Sequence, residues 1–342
     1  RYRVLMQQNW VFSQPDPELQ QQTAHFYERW KQNGIFEIQS SGTTGVPQIQ
    51  RFTKEQLAHS ALASIQALQL TADTHALLCL PLNSVGGLML LARSIVGSFA
   101  LTIEKPNSRP LQHHLSAFDF VAMVPTQLQQ SLEHDLTQLK RCGLILVGGG
   151  ALSAAHVAAC QDAGLLVWQS YGMTETLSHV ALRKVSPIEE PAFKALPGIL
   201  FSCKNDCLTI HYPQLQKEPI ATKDIVELHD PTHFTWLGRT DNAINSGGIK
   251  IIPEILEGQL EKYLDCAFFI TAVPDQKWGQ VVAIVLEVAR QPTLPDFRTL
   301  PLKPAEIPKK YALVNTFLRT NTQKIQRQAI LQALDHEDWR SL

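Results

Sequence analysis

A run rich in glycine and hydroxyl side chains, Ser40-Ser41-Gly42-Thr43-Thr44-Gly45, follows a short predicted strand. Glycines let backbone N–H groups point into one concavity and the hydroxyls add donors, so the run suits the oxygens of a polyphosphate. It is not a Walker A loop, because no Gly-Lys-Ser/Thr precedes a helix. A solvated surface turn favours the same residue types, and the run alone leaves both interpretations open.

A second group of residues that could take part in binding or catalysis is Tyr171-Gly172-Met173-Thr174-Glu175-Thr176. It comes directly after an apolar strand that we expect to end near residue 169. A carboxylate at a strand end can hold Mg²⁺ on a nucleotide, an aromatic ring can stack on a base, and a threonine can bond a phosphate. The alternative is a helix N-terminus capped by Thr174.

The third group contains Arg239 and Asp241, followed by the paired glycines Gly247 and Gly248. An arginine two residues before an aspartate can form a simple ion pair. The paired glycines favour a bend or the close approach of a ligand to the backbone. The position of this group in the chain favours a hinge.

The elements that must position these groups alternate between strand-like apolar runs and helical patterns. The runs cover residues 75–80, 101–103, 118–124, 144–147 and 165–168, with helices at 88–96 and 154–160 between them. This alternation predicts βαβ units and a mainly parallel sheet. Beyond residue 171, short alternating runs predict antiparallel strands, and from about residue 242 a compact α+β unit begins. Its predicted helices cover 253–263 and 324–334.

Composition limits the classes of protein that the chain can be. Its 342 residues predict about two domains, and 44% hydrophobic with 18% charged residues exclude a disordered or fibrous chain. A net charge of −1 argues against nucleic acid as the main partner. The six scattered cysteines, without a signal peptide or membrane span, predict a reducing, cytoplasmic setting. Cys203 and Cys207 are weak evidence for zinc.

In this order and at these distances, the three groups resemble the adenylate-forming superfamily of acyl- and aryl-CoA synthetases, luciferases and peptide-synthetase adenylation domains. The resemblance runs from Ser40 to Lys324. It implies an α/β fold, with a large N-terminal domain (1–240) of mainly parallel sheet layers and helices that binds nucleotide and acyl group. A small mobile α+β lid (241–342) would follow, with a hinge near Asp241. ATP, Mg²⁺ and CoA as co-substrate are the implied small molecules.

The resemblance also assigns roles to individual residues. The run 40–45 would grip the β- and γ-phosphates, Glu175 would coordinate Mg²⁺, and Gly247 and Gly248 would lie on the CoA side. The implied catalytic residues are Lys324, Glu175 and Thr174. The implied nucleotide contacts outside the run 40–45 are Gly148, Gly149, Gly150, Tyr171, Gly172, Met173, Thr222, Asp224 and Arg239.

The chain departs from the superfamily pattern at three places. Gln48 stands where a lysine usually follows the loop proline, and Gln323 replaces the glycine before Lys324. Asn83-Ser84 stands where many members have an aromatic-histidine pair. Gln48 removes a cation that would bind phosphate, and Gln323 makes its loop stiffer than a glycine would. Asn83-Ser84 lacks the aromatic ring of a gate into the CoA tunnel.

Within the superfamily, segments 124–128, 147–150, 171–176 and 244–248 are similar to the o-succinylbenzoate–CoA ligases of menaquinone synthesis. An aromatic keto-dicarboxylate needs a donor for its second carboxylate. The polar groups expected on the substrate side are Ser84, Arg93, Gln127, Ser178 and His179. Arg93 could instead be a solvated charge on an amphipathic helix, and His179 a hydrogen-bonded structural histidine.

The implied activity is therefore ATP-dependent ligation of a small carboxylic acid to CoA, through an acyl adenylate. The alternatives are another aryl- or acyl-CoA ligase, a stand-alone adenylation enzyme, or an adenylate-binding module that has lost catalysis. Association into a homo-oligomer is left open by the sequence.

Overall fold

The chain forms two compact units in a computed structural model that describes residues 2–3, 9–39, 48–288, 293–320 and 325–342. The first unit comprises Arg1–Ser202, Thr209–Ile220 and His229–Phe234. The second comprises Cys203–Leu208, Ala221–Leu228 and Thr235–Leu342. A single functional boundary between residues 240 and 241 stays a prediction.

The helices and strands alternate through the first unit and continue into the second. The helices are α1 (Pro17–Lys31), α2 (Lys54–Leu68), α3 (Val85–Gly97), α4 (Pro125–His134), α5 (Leu136–Leu139), α6 (Ala154–Asp162), α7 (Pro253–Leu260) and α8 (Arg327–Gln332). The strands up to residue 195 are β1 (Tyr2–Arg3), β2 (Trp10–Phe12), β3 (Ile35–Gln39), β4 (Ile49–Thr53), β5 (His75–Leu78), β6 (Ala100–Ile103), β7 (Phe118–Met123), β8 (Cys142–Val147), β9 (Val167–Gly172), β10 (His179–Ser186) and β11 (Phe193–Ala195). The later strands are β12 (Leu200–Lys204), β13 (Cys207–His211), β14 (Ile220–Asp230), β15 (His233–Arg239), β16 (Ile244–Ser246), β17 (Ile249–Ile251), β18 (Phe268–Asp275), β19 (Gly279–Glu287), β20 (Lys310–Val314) and β21 (Arg340–Ser341).

The predicted parallel sheet is confirmed in the first unit, where β2, β6, β5, β7, β8 and β9 lie side by side in that order and run parallel. Leu77, Val121, Ile145 and Val167 are directly paired across four neighbouring strands. Because alternate residues of a strand share one face, these side chains form a continuous apolar ladder, which packs against α4, α5 and α6.

The change to antiparallel pairing after residue 171 is also confirmed. β10 pairs antiparallel with β9 and with β11, and β11 pairs antiparallel with β15. β9 extends to Gly172 rather than ending near residue 169, because Tyr171 and Gly172 still pair with β10. The expected strand end was therefore too early.

Helix α3 is apolar on every side apart from Arg93 and Ser94, which are both buried. Ser84 caps it by accepting a hydrogen bond from the Gly87 amide at 3.2 Å, and the helix packs against α2 and β5. Met89, Leu90, Leu91 and Ala92 are all fully buried. A helix without a polar face is buried throughout, so any charge inside it is buried as well.

The second unit combines a sheet with helices. β17, β16, β19, β20 and β21 lie in that order, with β18 pairing antiparallel with β19. Alternate residues of β19 face α7 on one side, where Leu256 and Leu260 are buried, and α8 on the other, where Ile330 is buried. The last helix begins at Arg327 rather than at residue 324, because Ile325 forms a β-bridge with Arg319.

Among the described residues, no helix is both long and apolar enough to cross a membrane.

Candidate active site

The first part of the candidate site lies where parallel strands β5, β7, β8 and β9 end. Because neighbouring parallel strands end at the same edge of their sheet, the segments that follow them are brought together there. These segments contain Ser84, Pro125, Gly148–Gly150 and Thr174–Thr176. In open α/β sheets this edge is where ligands bind.

The glycines after β8 allow the backbone to lie close to its neighbours. The Gly148 amide donates to the Met123 carbonyl at 3.1 Å, and a Cβ on residue 148 would lie 2.6 Å from Ser170 Oγ. Gly149 has a φ of +78°, a conformation that side-chain-bearing residues rarely adopt. The structure thus explains Gly148 by packing and Gly149 by its backbone conformation, and the predicted contact with adenine stays a prediction.

Tyr171 and Gly172 end β9 beside an aromatic cluster. The Tyr171 ring lies 5.8 Å from that of Phe193 and 5.0 Å from that of Phe234, centroid to centroid. Gly172 admits no side chain, because a Cβ there would lie 2.2 Å from the Ser178 carbonyl oxygen. This close approach brings residues 172 and 178 together across the turn that follows β9.

The turn after β9 is closed by Thr176. Its hydroxyl accepts from the Met173 amide at 2.9 Å and lies 2.6 Å from the Ser178 carbonyl oxygen. Residues Thr174–Thr176 form a 3₁₀ turn that begins at Met173, so the interpretation of Thr174 as a helix cap is wrong. Thr174 and Glu175 are half-buried in this turn, after the end of the strand.

The Glu175 carboxylate is suited to bind a cation whose other ligands are phosphate oxygens and water. Among the described residues its carboxylate has no hydrogen-bond or ion-pair partner, and no group of three or more His, Cys, Asp or Glu that could hold a metal is found there. Mg²⁺ in nucleotide sites typically takes one or two carboxylates, with phosphate oxygens and water completing the octahedron. One unpaired carboxylate fits that donor set.

Arg93 is buried in α3 with 2% of its surface exposed, so the alternative of a solvated charge is wrong. Its Nη2 donates to Ser178 Oγ at 2.7 Å, while Nε has no hydrogen-bond partner. No carboxylate in the described part of the chain forms an ion pair with it. Burial lowers the pKa of the Arg93 guanidinium to about 10, which still leaves it cationic at neutral pH.

His179 begins β10 and has partners on both ring nitrogens. Nε2 lies 3.0 Å from Ser64 Oγ, and Nδ1 lies 3.4 Å from Arg93 Nη2. Burial and then the Arg93 cation hold the pKa of His179 well below its ordinary value. The interpretation of His179 as a hydrogen-bonded histidine is confirmed, whereas a direct contact with substrate would need one of these bonds to break.

Two of the residues predicted to face the substrate form hydrogen bonds within the local structure. The Ser84 hydroxyl donates to the Pro81 carbonyl at 2.6 Å while capping α3. The Gln127 amide donates to the carbonyls of Cys79 at 3.0 Å and Asn107 at 2.9 Å, and it accepts from the Val124 amide. Because these bonds hold the segments around β5 and β7 together, we leave both residues out of the proposed substrate contacts.

The residues predicted to bind ribose lie together in the second unit. The Asp224 carboxylate, 5% exposed, accepts from Trp236 Nε1 at 3.2 Å and from Arg239 Nη1 at 3.4 Å. Thr222 Oγ1 accepts from the Asp224 amide and donates to the Leu208 carbonyl. Thr222 therefore shapes the backbone that presents Asp224.

The Asp241 carboxylate forms ion pairs with two basic side chains close to Asp224 in the sequence or in the structure, Lys223 and Arg239. It accepts from Lys223 Nζ at 2.9 Å and from Arg239 Nη2 at 3.1 Å. Partial burial acts to raise the pKa of Asp241, but these hydrogen bonds outweigh it and hold the pKa below its ordinary value. The simple ion pair between Arg239 and Asp241 is thus present, and a hinge at Asp241 stays a prediction.

Gly247 and Gly248 connect β16 to β17, with φ values of +58° and +83°. The Gly247 amide donates to the Trp278 carbonyl at 2.9 Å, and a Cβ on residue 247 would lie 2.6 Å from the Trp278 ring. The expected bend is confirmed, while their place on the CoA side stays a prediction.

The run Ser40–Gly45, predicted to bind phosphate, and Lys324, predicted to be catalytic, lie outside the described residues. Two residues that sequence reasoning missed are Ser64 and Trp236. Ser64 lies four residues after Ser60 on the buried face of α2, a spacing that marks a polar stripe within an apolar face. The pairing of Trp236 with Asp224 leaves no signal in the sequence, because it depends on strand register.

Comparisons with known proteins identify the family of the chain. The family model described as AMP-binding enzyme matches residues 8–203. A solved structure of an acyl-CoA synthetase (AMP-forming)/AMP-acid ligase II-like protein from Dyadobacter fermentans is 35% identical and covers 94% of this chain and 96% of its own, with a TM-score of 0.64.

Two further comparisons cover most of this chain. The 2-succinylbenzoate–CoA ligase of Listeria monocytogenes is 28% identical over 315 residues, which are 84% of this chain and 68% of the ligase. The o-succinylbenzoate CoA synthetase (MenE) of Bacillus subtilis, solved with ATP and magnesium ion, is 22% identical with a TM-score of 0.75, covers 85% of this chain and 68% of its own, and supports the fold alone. Because the family model matches more than half of the chain, this chain belongs to the AMP-binding enzyme family.

Proposed function

We propose that this chain joins 2-succinylbenzoate to the thiol of CoA, with ATP and Mg²⁺, through an acyl adenylate. Membership of the AMP-binding enzyme family supports the adenylation step. The relatives named 2-succinylbenzoate–CoA ligase, 25–28% identical to this chain, support the acid and the thiol acceptor.

The observation that carries the choice of acid is the buried Arg93 guanidinium. Burying a cation without a paired anion lowers the free energy of unfolding by several kcal/mol, so stability alone does not explain a buried Arg93. A dicarboxylate that reacts at one carboxylate keeps the other, and that anion would supply the acceptor that Arg93 Nε lacks. Ser178, already bonded to Arg93, lies beside the turn that carries Glu175.

The first half-reaction forms the acyl adenylate. One oxygen of the substrate carboxylate attacks the α-phosphorus of ATP, and pyrophosphate leaves as that new P–O bond forms. Mg²⁺, when bound, neutralises phosphate charge, and Glu175 would hold it. The resemblance assigns the stabilisation of charge at the α-phosphate to Thr174 and Lys324, and the grip on the β- and γ-phosphates to Ser40–Gly45.

The second half-reaction forms the thioester. The CoA thiol loses its proton and its sulfur attacks the acyl carbonyl carbon, and AMP leaves with the former carboxylate oxygen. We assign Asp224 and Arg239 to the ribose, because Asp224 is buried and held by Trp236 in a fixed orientation. A lid movement at Asp241 between the two steps, with Gly247 and Gly248 near CoA, is part of the same proposal.

Release of pyrophosphate tests this function. Purified protein with Mg-ATP should release pyrophosphate continuously when both 2-succinylbenzoate and CoA are added, and at most about one equivalent per enzyme when CoA is left out. Continuous pyrophosphate release at the same rate with and without CoA would favour a stand-alone adenylation enzyme. No release with this acid, alongside release with another aryl acid, would overturn the choice of substrate.

A further inference from the structure

We propose that His179 is a positioning residue, which orients the Arg93 guanidinium through a neutral ring nitrogen and leaves its positive charge for the substrate. The ring would be the tautomer that carries its hydrogen on Nε2, fixed by Ser64. The consequence for substrate choice rests on the proposed function, whereas the tautomer itself does not.

The hydrogen bonds around Ser64 assign the tautomer. The Ser64 hydroxyl donates its one hydrogen to the Ser60 carbonyl at 3.0 Å, as serines in helices often do. Towards His179 Nε2, 3.0 Å away, the same oxygen can then only accept. Nε2 therefore carries the hydrogen, and in a neutral ring Nδ1 is left with a lone pair.

That lone pair faces Arg93. Nδ1 lies 3.4 Å from Arg93 Nη2, the nitrogen whose other hydrogen is given to Ser178 Oγ at 2.7 Å. Ser64, Arg93, Ser178 and His179 are all at least nine-tenths buried. The low pKa that burial and the Arg93 cation give His179 agrees with a neutral ring, because a second cation here would face the first.

A neutral acceptor has a different effect from the carboxylate that usually pairs with a buried arginine. A carboxylate at residue 179 would orient Arg93 but also cancel its charge, and an anionic ligand would then meet a neutral pair. The imidazole orients the guanidinium without cancelling its charge. The arrangement thus selects acids that carry a second, unreacted negative charge.

The first test is independent of activity. Imidazole ¹⁵N NMR of the ligand-free protein at neutral pH should show the His179 ring with a protonated Nε2 and an unprotonated Nδ1. The chain has 12 histidines, so the His179 signals are identified by their absence in His179→Gln. A hydrogen on Nδ1, or on both nitrogens, would overturn the proposal.

The second test compares acids with one and two carboxylates. The probes are 2-succinylbenzoate and two monoacids that each keep one of its carboxylates, 4-oxo-4-phenylbutanoate and 2-butanoylbenzoate. In Ser64→Ala, kcat/KM for the diacid should fall about 3- to 10-fold through KM, the scale of one lost hydrogen bond, with the better monoacid unchanged. His179→Asp should lose the preference for the diacid altogether.

Ser60→Ala is the matched control, since it removes a buried hydroxyl from the same helix face and keeps the carbonyl that Ser64 needs. We expect it to leave the ratio between diacid and monoacid at the wild-type value. Equal losses for both kinds of acid in Ser64→Ala would reduce His179 to a structural role and overturn its part in selectivity. A wild-type enzyme that does not use 2-succinylbenzoate would refute the proposed function, while the NMR result would still decide the tautomer.

Discussion

The buried side chain of Arg93 supports the proposed choice of substrate. Its burial is also the main difference between the structure and the interpretation of α3 as an amphipathic helix. The segment Val85–Gly97 contains no other charged residue, so the helix has no polar face on which Arg93 could be solvated. That composition is visible in the sequence and predicts burial of the charge. The partners Ser178 and His179 are not predictable in the same way, because the pairing of β9 with β10 brings them to α3.

Replacing Arg93 by methionine should separate stability from activity. Removal of an unpaired buried charge should raise the free energy of unfolding by about 1–3 kcal/mol, because the apolar side chain suits the surrounding core. Turnover of 2-succinylbenzoate should fall about 10- to 100-fold in kcat/KM, the scale of a charged hydrogen bond. Urea unfolding and steady-state kinetics measure the two effects, and a variant both less stable and equally selective would contradict the assignment.

Replacing Glu175 by glutamine should affect the metal and not the fold. The side chain is half-buried without a partner among the described residues, so stability should not change measurably. The Mg²⁺ concentration for half-maximal pyrophosphate release should rise about tenfold or more, because a carboxylate ligand becomes a neutral amide. A magnesium titration of the folded variant that overlays the wild-type curve would remove Glu175 from the metal site.

At the scale of elements, the parallel direction of the strands around the site was predictable from periodicity, whereas the order of the strands and the details of turns were not. The apolar runs near residues 77, 121 and 145 are long and bounded by turn residues, so their pairing follows from the βαβ rule. The turn after β9 depends on the Thr176 hydroxyl and on contact between residues 172 and 178, which are tertiary effects. The start of α8 was missed because a β-bridge competes with the helix at Ile325.

The turn after β9 should be intolerant of a side chain at Gly172. A Cβ there would meet backbone atoms of residues 178 and 179, which cannot move without breaking the pairing of β9 with β10. Gly172→Ala should lower the free energy of unfolding by about 2 kcal/mol and should abolish most thioester formation. Gly258→Ala in α7, where a Cβ meets open space, is the control and should be neutral or stabilising. Similar behaviour of the two variants would refute the close packing.

The segment after β20 is tied to β19 by an ion pair that should respond to acid. Arg319 donates two hydrogen bonds to Glu287 and, with the Phe317 amide, holds the pKa of Glu287 below its ordinary value. The stabilisation is therefore complete above the unfolded-state pKa of about 4.3 and is lost as the pH falls through the lower folded-state pKa.

Urea midpoints of wild type and Glu287→Gln, measured from pH 7 down to pH 3, should differ most at neutral pH and converge in acid. Glu28→Gln, which removes an exposed i,i+3 pair with Lys31, should give a small difference throughout. A gap between wild type and Glu287→Gln that widens in acid would contradict the direction of the pKa shift.

At the scale of the whole molecule, the chain has two compact units, and the sequence predicts nucleotide contacts in each of them. Gly148–Gly150, Tyr171 and Glu175 are in the first unit, while Asp224 and Arg239 are in the second. Sequence motifs predict both sets because each motif is local. The second unit also takes in segments 203–208 and 221–228, which no local pattern could assign, since they join it only through folding.

We propose above that this enzyme makes a thioester from an acid that carries a second carboxylate. The most direct measurement is mass-spectrometric quantification of acyl-CoA and AMP after incubation with Mg-ATP, CoA and each of the three acids named above. We predict equal amounts of acyl-CoA and AMP from 2-succinylbenzoate, with kcat/KM about 10- to 100-fold above that of either monoacid. A monoacid used as well as the diacid, or AMP without thioester, would contradict the account.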